Sequence, residues 1–217
     1  MRGVSTIAGM ESTVEVTRGQ WSVFARVLGD TGAPALLFLQ GGPGSPAPRE
    51  RFAWIEEALR RGYRVVLLDQ RGTGRSTRVD AATPELINAD TLTELRAPEI
   101  IKDAEAVREK LGIERWDVLG QSFGGFCLLH YLSVAPEHIG VAMFTGGLAS
   151  ISEGPDAVCE ATFAKLRARH RAFNRSHPEA ERTMREVCRH LEAAEECLPT
   201  GERLTPRRFR TVGIELG

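Results

Sequence analysis

The sequence contains no long apolar run. No window reaches the roughly 18 consecutive apolar residues that a membrane-spanning helix needs. The opening residues, MRGVSTIAGM, also hold no apolar stretch long enough for a secretory signal. We therefore expect no membrane association and a cytoplasmic location.

An excess of charge of one sign is missing as well. Lys and Arg number 28 and Asp and Glu 29, which leaves a formal net charge of −1. Arginines do cluster in KLRARHR (165–171) and PRRFR (206–210), but glutamates lie nearby, which favours solvated helix faces over a phosphate-binding patch. A nearly neutral chain offers no electrostatic attraction for nucleic acid or an anionic membrane. We expect neither as a partner.

Cysteine is scarce and follows no pattern. The four cysteines form no CxxC pair and show no metal-ligand spacing: Cys127, Cys159, Cys188 and Cys197. We predict buried or idle thiols and expect neither structural disulfides nor a metal site.

Strand patterns occupy the part of the chain before residue 150. Residues 12–18 and 22–28 alternate apolar and polar positions, which predicts an antiparallel hairpin with one face buried. Short, nearly continuous apolar runs predict parallel strands that are buried on both faces. There are four such runs: 35–40, 63–70, 115–120 and 140–146.

Helical patterns separate these strands. One covers residues 50–60, and a second covers residues 98–111, beginning with a proline and stopping at Gly112. The first pattern places one stripe of residues inward: Phe52, Ile55, Ala58 and Leu59. Strands that alternate with helices predict an α/β fold with a mostly parallel sheet.

The alternation stops near residue 150. Residues 155–176 and 178–196 have the pattern of charged amphipathic helices, and a third short helix is expected after Thr205. We therefore predict an α/β core over residues 1–150 and a helical segment over residues 151–217.

The motif GQSFGG (120–125) follows one predicted strand and opens a helix. A serine in Gly-x-Ser-x-Gly at such a turn is typical of a nucleophile elbow, in which the backbone is strained and the hydroxyl exposed. The flanking glycines leave room for the neighbouring strand and helix. A glycine-rich turn without catalytic function is the alternative interpretation.

A second glycine-rich motif, QGGPG (40–44), directly follows the strand pattern at 35–40. Acyl transfer needs two backbone N–H groups directed at the oxyanion of the tetrahedral intermediate. We predict that the amides of Gly42 and Phe123 supply them. A tight turn without a ligand is the alternative.

A third motif, DQRGTGRS (69–76), follows the next predicted strand. Neither GxGxxG nor GxxxxGK[ST] is completed, which argues against a nucleotide site. We predict instead that Asp69 and Arg71 form buried charge-assisted hydrogen bonds that hold the active-site loops.

In their order and spacing, QGGPG, DQRGTGRS and GQSFGG resemble the proline iminopeptidase family of α/β-hydrolase serine peptidases. In that family the first motif usually starts with histidine, where this chain has Gln40. The resemblance implies an α/β-hydrolase fold, with about six of its eight strands in this chain, and makes residues 151–217 the start of a helical cap domain.

The resemblance also implies the chemistry. Ser122 would be the nucleophile, the amides of Gly42 and Phe123 the oxyanion hole, and Gly41, Gly42 and Pro43 substrate contacts. The substrates would be short peptides from which an N-terminal residue, typically proline, is released. No metal or organic cofactor would be needed.

The triad aspartate and histidine of this family lie beyond the cap, and we find no replacement for them in the chain. On the predicted helix, His130 lies about 12 Å from Ser122 along the axis, at ~1.5 Å per residue. The other histidines fall at the base of a strand or in the charged helices: His138, His170, His177 and His190. We therefore expect a truncated chain that is inactive, or nearly so, by itself. We also expect a complementing chain to pair with it and supply the missing strands.

Other functions stay open at this point. An esterase or another α/β-hydrolase could use the same elbow, because no residue in the chain decides the scissile bond. A non-catalytic α/β-hydrolase-like module that binds a ligand is the third hypothesis.

Overall fold

The computed structural model describes residues 11–148 and 152–216. Its helices and strands fall into two compact units, Met1–Ala149 and Ser150–Gly217. The strands are β1 (Glu11–Arg18), β2 (Trp21–Leu28), β3 (Ala35–Leu39), β4 (Arg64–Leu68), β5 (Trp116–Gln121) and β6 (Ile139–Thr145). The α-helices are α1 (Ala53–Arg60), α2 (Ala89–Thr93), α3 (Ala97–Lys110), α4 (Phe123–Val134), α5 (Pro155–Ser176), α6 (Ala180–Ala193) and α7 (Pro206–Phe209). Short 3-10 helices cover Pro84–Leu86, Pro136–His138 and Arg210–Leu216.

The six strands form one sheet in the order β1-β2-β4-β3-β5-β6. The hairpin β1–β2 and the β2–β4 pair are antiparallel, and the remaining three pairs are parallel. The α/β fold and mostly parallel sheet that the sequence predicts are confirmed. The register aligns Leu39 with Gly120 and Gln121 with Thr145. The carboxyl ends of β3, β5 and β6 therefore meet at one end of the sheet.

Strand β2 is buried more deeply than its alternating pattern predicts. Val23, Ala25 and Val27 belong to one hydrophobic cluster, while Leu28 belongs to the cluster on the other face. The prediction of a single buried face was wrong for this strand. The reason is that both faces of β2 are covered, each by a different hydrophobic cluster.

Strand β6 differs from its prediction in the opposite direction. Ile139 is buried, but Val141 is 54% exposed and the rest of the strand is exposed or half-buried. Among the described residues β6 ends the sheet, so one of its two edges has no neighbour. Burial on both faces was therefore the wrong expectation for this run.

The helices of the first unit cover the sheet. Helix α3 buries Ile101, Ala104 and Val107 against the core. Helix α1 buries Ile55, Ala58 and Leu59. Phe52, predicted on the same stripe, is half exposed because the helix begins at Ala53 and Phe52 only caps it.

The second unit is helical. Helices α5 and α6 occupy the predicted segments, although α6 begins at Ala180, two residues later than its pattern indicates. The short helix α7 begins after Thr205, whose hydroxyl accepts a hydrogen bond from the Arg208 amide. No helix in the described ranges is both long and apolar enough to cross a membrane.

Candidate active site

Ser122 lies on the sharp turn between β5 and α4. Its φ is +51°, and among the described residues it is the one non-glycine with a positive φ. A β-carbon is disfavoured in this region, so the turn stores local strain of about 1–3 kcal/mol. The side chain is exposed to solvent. The strained turn and exposed hydroxyl that GQSFGG predicts are both present.

The glycines of the motif allow this turn to pack. A β-carbon on Gly120 would lie 2.6 Å from the Gly124 carbonyl oxygen, and one on Gly124 would lie 1.8 Å from the Leu39 carbonyl oxygen. Both distances are far inside van der Waals contact. Glycine at these positions therefore lets α4 start directly against β3 and β5.

The QGGPG loop comes against the nucleophile. A β-carbon on Gly41 would lie 3.0 Å from Ser122 Cβ and 3.6 Å from its Oγ. Phe123 is the first residue of α4, where a backbone N–H has no acceptor within the helix. The helix N-terminus also favours negative charge. The structure thus brings Gly41, Ser122 and Phe123 together.

Asp69 joins the DQRGTGRS and QGGPG loops. Its carboxylate is completely buried and accepts hydrogen bonds from the amides of Ala47 (2.9 Å) and Arg75 (2.8 Å). Arg49 Nη2 lies 2.5 Å from Asp69 Oδ2. Ala47 and Arg49 follow QGGPG within five residues. The Asp69 carboxylate therefore fixes the position of the chain where it leaves that loop. The buried role predicted for Asp69 is confirmed.

Arg71 ties the same loop to α3. Its Nε and Nη2 donate to the two oxygens of Asp103 at 2.7 and 2.6 Å, and both side chains are buried. The guanidinium also lies 4.9 Å from the ring centroid of Trp21. A bidentate pair of this kind is geometrically specific. The prediction for Arg71 is therefore confirmed as well.

Gln40 braces its own loop. Its side-chain amide donates to the Ser45 carbonyl, and its backbone carbonyl accepts a hydrogen bond from Gln70 at 3.2 Å. The side chain is buried rather than directed at solvent. The residue that stands in place of histidine thus holds the shape of the loop.

Sequence reasoning missed the segment after β6. The Ser122 amide donates to the Thr145 carbonyl at 2.8 Å, and a β-carbon on Gly147 would lie 2.2 Å from the Ser122 carbonyl oxygen. The signal was available. Gly146 and Gly147 directly follow an apolar strand, as the glycines of QGGPG do.

Two histidines of the described residues pair with carboxylates away from Ser122. His138 Nδ1 lies 2.7 Å from Glu105 Oε2, just before β6. The β5–β6 register pairs Ile139, which follows His138, with Trp116, six residues before Ser122. His138 therefore lies at the opposite end of the sheet from Ser122, roughly 20 Å away at ~3.3 Å per residue. In the second unit His190 pairs with Glu196 at 2.9 Å. Both histidines have acid partners that the sequence did not reveal.

No base contacts the nucleophile in the part of the chain that the structure describes. Neither a histidine nor a carboxylate hydrogen-bonds to the Ser122 hydroxyl within residues 11–148 and 152–216. A serine without a base stays protonated and reacts slowly near neutral pH.

Cys127 lies one helical turn after Phe123 but is not a second nucleophile. It is fully buried, and that burial raises the pKa of its thiol to about 12. The thiolate is the reactive form of cysteine. Cys127 therefore packs as an apolar side chain, in agreement with the predicted idle thiol.

Comparisons with known proteins agree with this geometry. The sequence profile of the alpha/beta hydrolase fold family matches residues 34–199. A proline iminopeptidase of Aeromonas sobria is 42% identical over 195 residues, which is 87% of this chain and 46% of that protein. A proline iminopeptidase of Aspergillus aculeatus is 35% identical over 218 residues, with 92% and 48% covered. The chain thus spans about half the length of these curated relatives.

A solved structure shares the fold. The 2-hydroxy-6-oxo-6-phenylhexa-2,4-dienoate hydrolase of Rhodococcus sp. strain RHA1 aligns with a TM-score of 0.52 and 24% identity. The alignment covers 67% of this chain and 50% of that one. At this identity the likeness concerns the fold alone.

Proposed function

Because this chain belongs to the alpha/beta hydrolase fold family, we propose that it carries the nucleophilic half of a serine hydrolase of the proline iminopeptidase type. The observation that supports this most directly is Ser122, exposed at φ +51° with the QGGPG backbone beside it. The relatives named proline iminopeptidase support the substrate class.

The reaction would begin with attack of Ser122 Oγ on the carbonyl carbon of the N-terminal residue. As the new C–O bond forms, the carbonyl π electrons move onto oxygen, and the amides of Gly42 and Phe123 stabilise that charge. The C–N bond then breaks, the amine leaves with the proton taken from Ser122, and water hydrolyses the acyl-enzyme.

A base must carry that proton between the hydroxyl and the leaving amine. None contacts Ser122 in the described residues, so the proposed reaction would need a histidine and an orienting carboxylate that the described residues do not place beside Ser122. Among the described residues no strand pairs with the outer edge of β6, and a complementing chain would add strands there. By itself the chain would then hydrolyse its peptide substrates slowly or not at all.

The substrates would be short peptides with N-terminal proline. Gly41, Gly42 and Pro43 would border the residue to be released, since their loop lies against Ser122. A cytoplasmic location stays a prediction.

Labelling with a fluorophosphonate tests the nucleophile and the missing base together. We expect slow labelling confined to Ser122, none in Ser122→Ala, and wild-type labelling in Ser133→Ala, whose exposed hydroxyl bonds the Leu129 carbonyl on the same helix. Labelling at another residue would contradict the nucleophile. Fast, stoichiometric labelling of Ser122 would contradict the absence of a base.

Two chromogenic substrates separate the competing functions. Turnover of proline p-nitroanilide supports the iminopeptidase, and turnover of p-nitrophenyl acetate alone supports an esterase. Mixing the chain with the part of the Aeromonas sobria relative that it does not span should raise the peptidase rate. An unchanged rate in a folded mixture, with neither substrate hydrolysed, would favour a non-catalytic binding module.

A further inference from the structure

The turn after β6 encloses the peptide group that follows the nucleophile. Gly147 is the point of contact: a β-carbon there would lie 2.2 Å from the Ser122 carbonyl oxygen and 3.1 Å from its carbonyl carbon. The contact is mutual, because a β-carbon on Gly125 would lie 2.4 Å from the Gly147 carbonyl oxygen. Two backbones therefore meet here without room for a side chain on either.

Hydrogen bonds hold Ser122 from both sides. Its amide donates to the Thr145 carbonyl at 2.8 Å, and its carbonyl accepts from the Gly125 amide at 2.9 Å. The first bond comes from the end of β6 and the second from the first turn of α4. The backbone of the nucleophile is fixed while its hydroxyl stays exposed.

The Ser122 carbonyl and the Phe123 amide belong to the same peptide group. That group is planar, and twisting it by about 12° already costs about 1 kcal/mol. A contact that sets the direction of the carbonyl therefore sets the direction of the N–H on the other side of the bond. The Phe123 N–H is the donor that the proposed oxyanion hole requires.

We propose that Gly147 is a positioning residue for the oxyanion hole: it packs on the Ser122 carbonyl and thereby directs the Phe123 amide. This role deepens the proposed hydrolase function and rests on it. Gly147 itself touches no reacting atom. Its effect passes through one rigid peptide group, whose hydrogen bond to the oxyanion weakens steeply when the N–H points away.

The variant Gly147→Ala tests this role. The added methyl group would collide with the Ser122 carbonyl oxygen at 2.2 Å, and we expect the peptide between Ser122 and Phe123 to tilt in response. We expect fluorophosphonate labelling of Ser122 to slow by on the order of 10²-fold, the effect of losing one oxyanion-hole donor. In the wild-type adduct the Phe123 amide proton should shift strongly downfield by NMR, since it donates to the phosphonyl oxygen. In Gly147→Ala that shift should be lost.

Gly32→Ala is the control. Gly32 lies in the exposed turn before β3, where a β-carbon would meet nothing closer than Asp30 Oδ1 at 3.7 Å. The Gly32→Ala variant should be labelled at Ser122 at the wild-type rate and should keep the downfield shift of the Phe123 amide proton. The proposal is wrong if Gly147→Ala also keeps the wild-type labelling rate and the downfield Phe123 amide shift while its β3 amides stay protected from hydrogen exchange.

Hydrogen exchange of the wild type covers the case in which Gly147→Ala does not fold. The Ser122 amide should exchange as slowly as the β5 amides, because it donates to the Thr145 carbonyl at 2.8 Å just before the Gly147 turn. Exchange as fast as that of Gly32 would overturn the positioning role. If the Ser122 amide exchanges slowly but the wild type is never labelled at Ser122, the positioning role of Gly147 stays supported and the proposed hydrolase function is refuted instead.

Discussion

Ser122 combines a disfavoured backbone with an exposed side chain, and its neighbours explain how both persist. Close approaches to Ser122 come from Gly41 and Gly147, which lie in different segments, while Gly124 packs on the Leu39 carbonyl. The strain of the positive φ is of the order of 1–3 kcal/mol and is offset by the packing and hydrogen bonds of these segments. Such an arrangement presents one hydroxyl while leaving its peptide groups immobile.

Asp69 is the residue whose loss should disturb this arrangement most. Ala47 donates to Oδ1, whereas Arg49 and Arg75 donate to Oδ2. An asparagine has one acceptor oxygen, so in either orientation its NH2 group faces a donor. We expect Asp69→Asn to lower the free energy of unfolding by about 3 kcal/mol, measured by urea denaturation.

Asp80→Asn is the matched control for Asp69→Asn. Asp80 pairs with Arg78 at 2.7 Å, but its side chain is 34% exposed and that of Arg78 63% exposed. Its loss should cost no more than about 1 kcal/mol. Equal losses in the two variants would show that the Asp69 carboxylate does not brace the loops.

At the scale of elements, one carboxylate connects α3, α4 and the start of β6. Glu105 on α3 accepts hydrogen bonds from Arg108 and from the buried Tyr131 of α4, and it lies 2.7 Å from His138. Trp116 of β5 completes the network by donating to the Tyr131 hydroxyl at 3.0 Å. The network lies at the end of the sheet away from Ser122, so its role is to hold the elements together.

The pKa of Glu105 predicts a dependence of stability on pH. Burial alone would raise this pKa, but the hydrogen bonds from Arg108 and Tyr131 outweigh it and lower the pKa below its ordinary value of 4.5. A carboxyl group whose pKa is lowered by folding stabilises the protein above its unfolded pKa, and this contribution is lost as the pH falls through the folded value.

We therefore expect Glu105→Gln to be less stable than the wild type by roughly 2 kcal/mol at pH 7. The difference should shrink as the pH falls below 4.5, in urea denaturations run across that range. Glu109→Gln, on the same helix but 72% exposed, should cost less than about 1 kcal/mol at pH 7. If the difference in unfolding free energy between wild type and Glu105→Gln stayed the same at every pH, the lowered pKa of Glu105 would be refuted.

For the molecule as a whole, the sheet of the first unit ends at β6 among the described residues. In the described residues no strand pairs with its outer edge, and Val141 is 54% exposed there. An apolar edge strand with unpaired N–H and C=O groups is a template for pairing with another chain. The same edge would receive the strands of a complementing chain.

We expect the isolated chain to self-associate through β6, with apparent mass rising with concentration in size-exclusion chromatography. Val141→Lys should shift the distribution towards the monomer, because charged side chains block edge pairing. Val134→Lys is the control, since Val134 is also 54% exposed but lies on α4. A monodisperse wild-type monomer at all concentrations would contradict the prediction.

The sequence by itself determined the local features of this protein. Period-two alternation predicted the hairpin, continuous apolar runs predicted the parallel strands, and the motif around Ser122 predicted a strained turn. Each of these depends on neighbours within a few residues, and the side chains that create the pattern also form the element. The bonds of Asp69 and Arg71 could be anticipated because buried charges require partners.

The tertiary structure alone decided which segments meet. It placed β2 inside the sheet, left β6 at its edge, and brought Gly147 onto the Ser122 carbonyl from 25 residues further along the chain. An apolar run indicates that a strand is buried but not which strand lies beside it. Sheet order and backbone contacts depend on how distant segments pack together, and such packing leaves only a weak trace, such as a pair of glycines, in the local pattern.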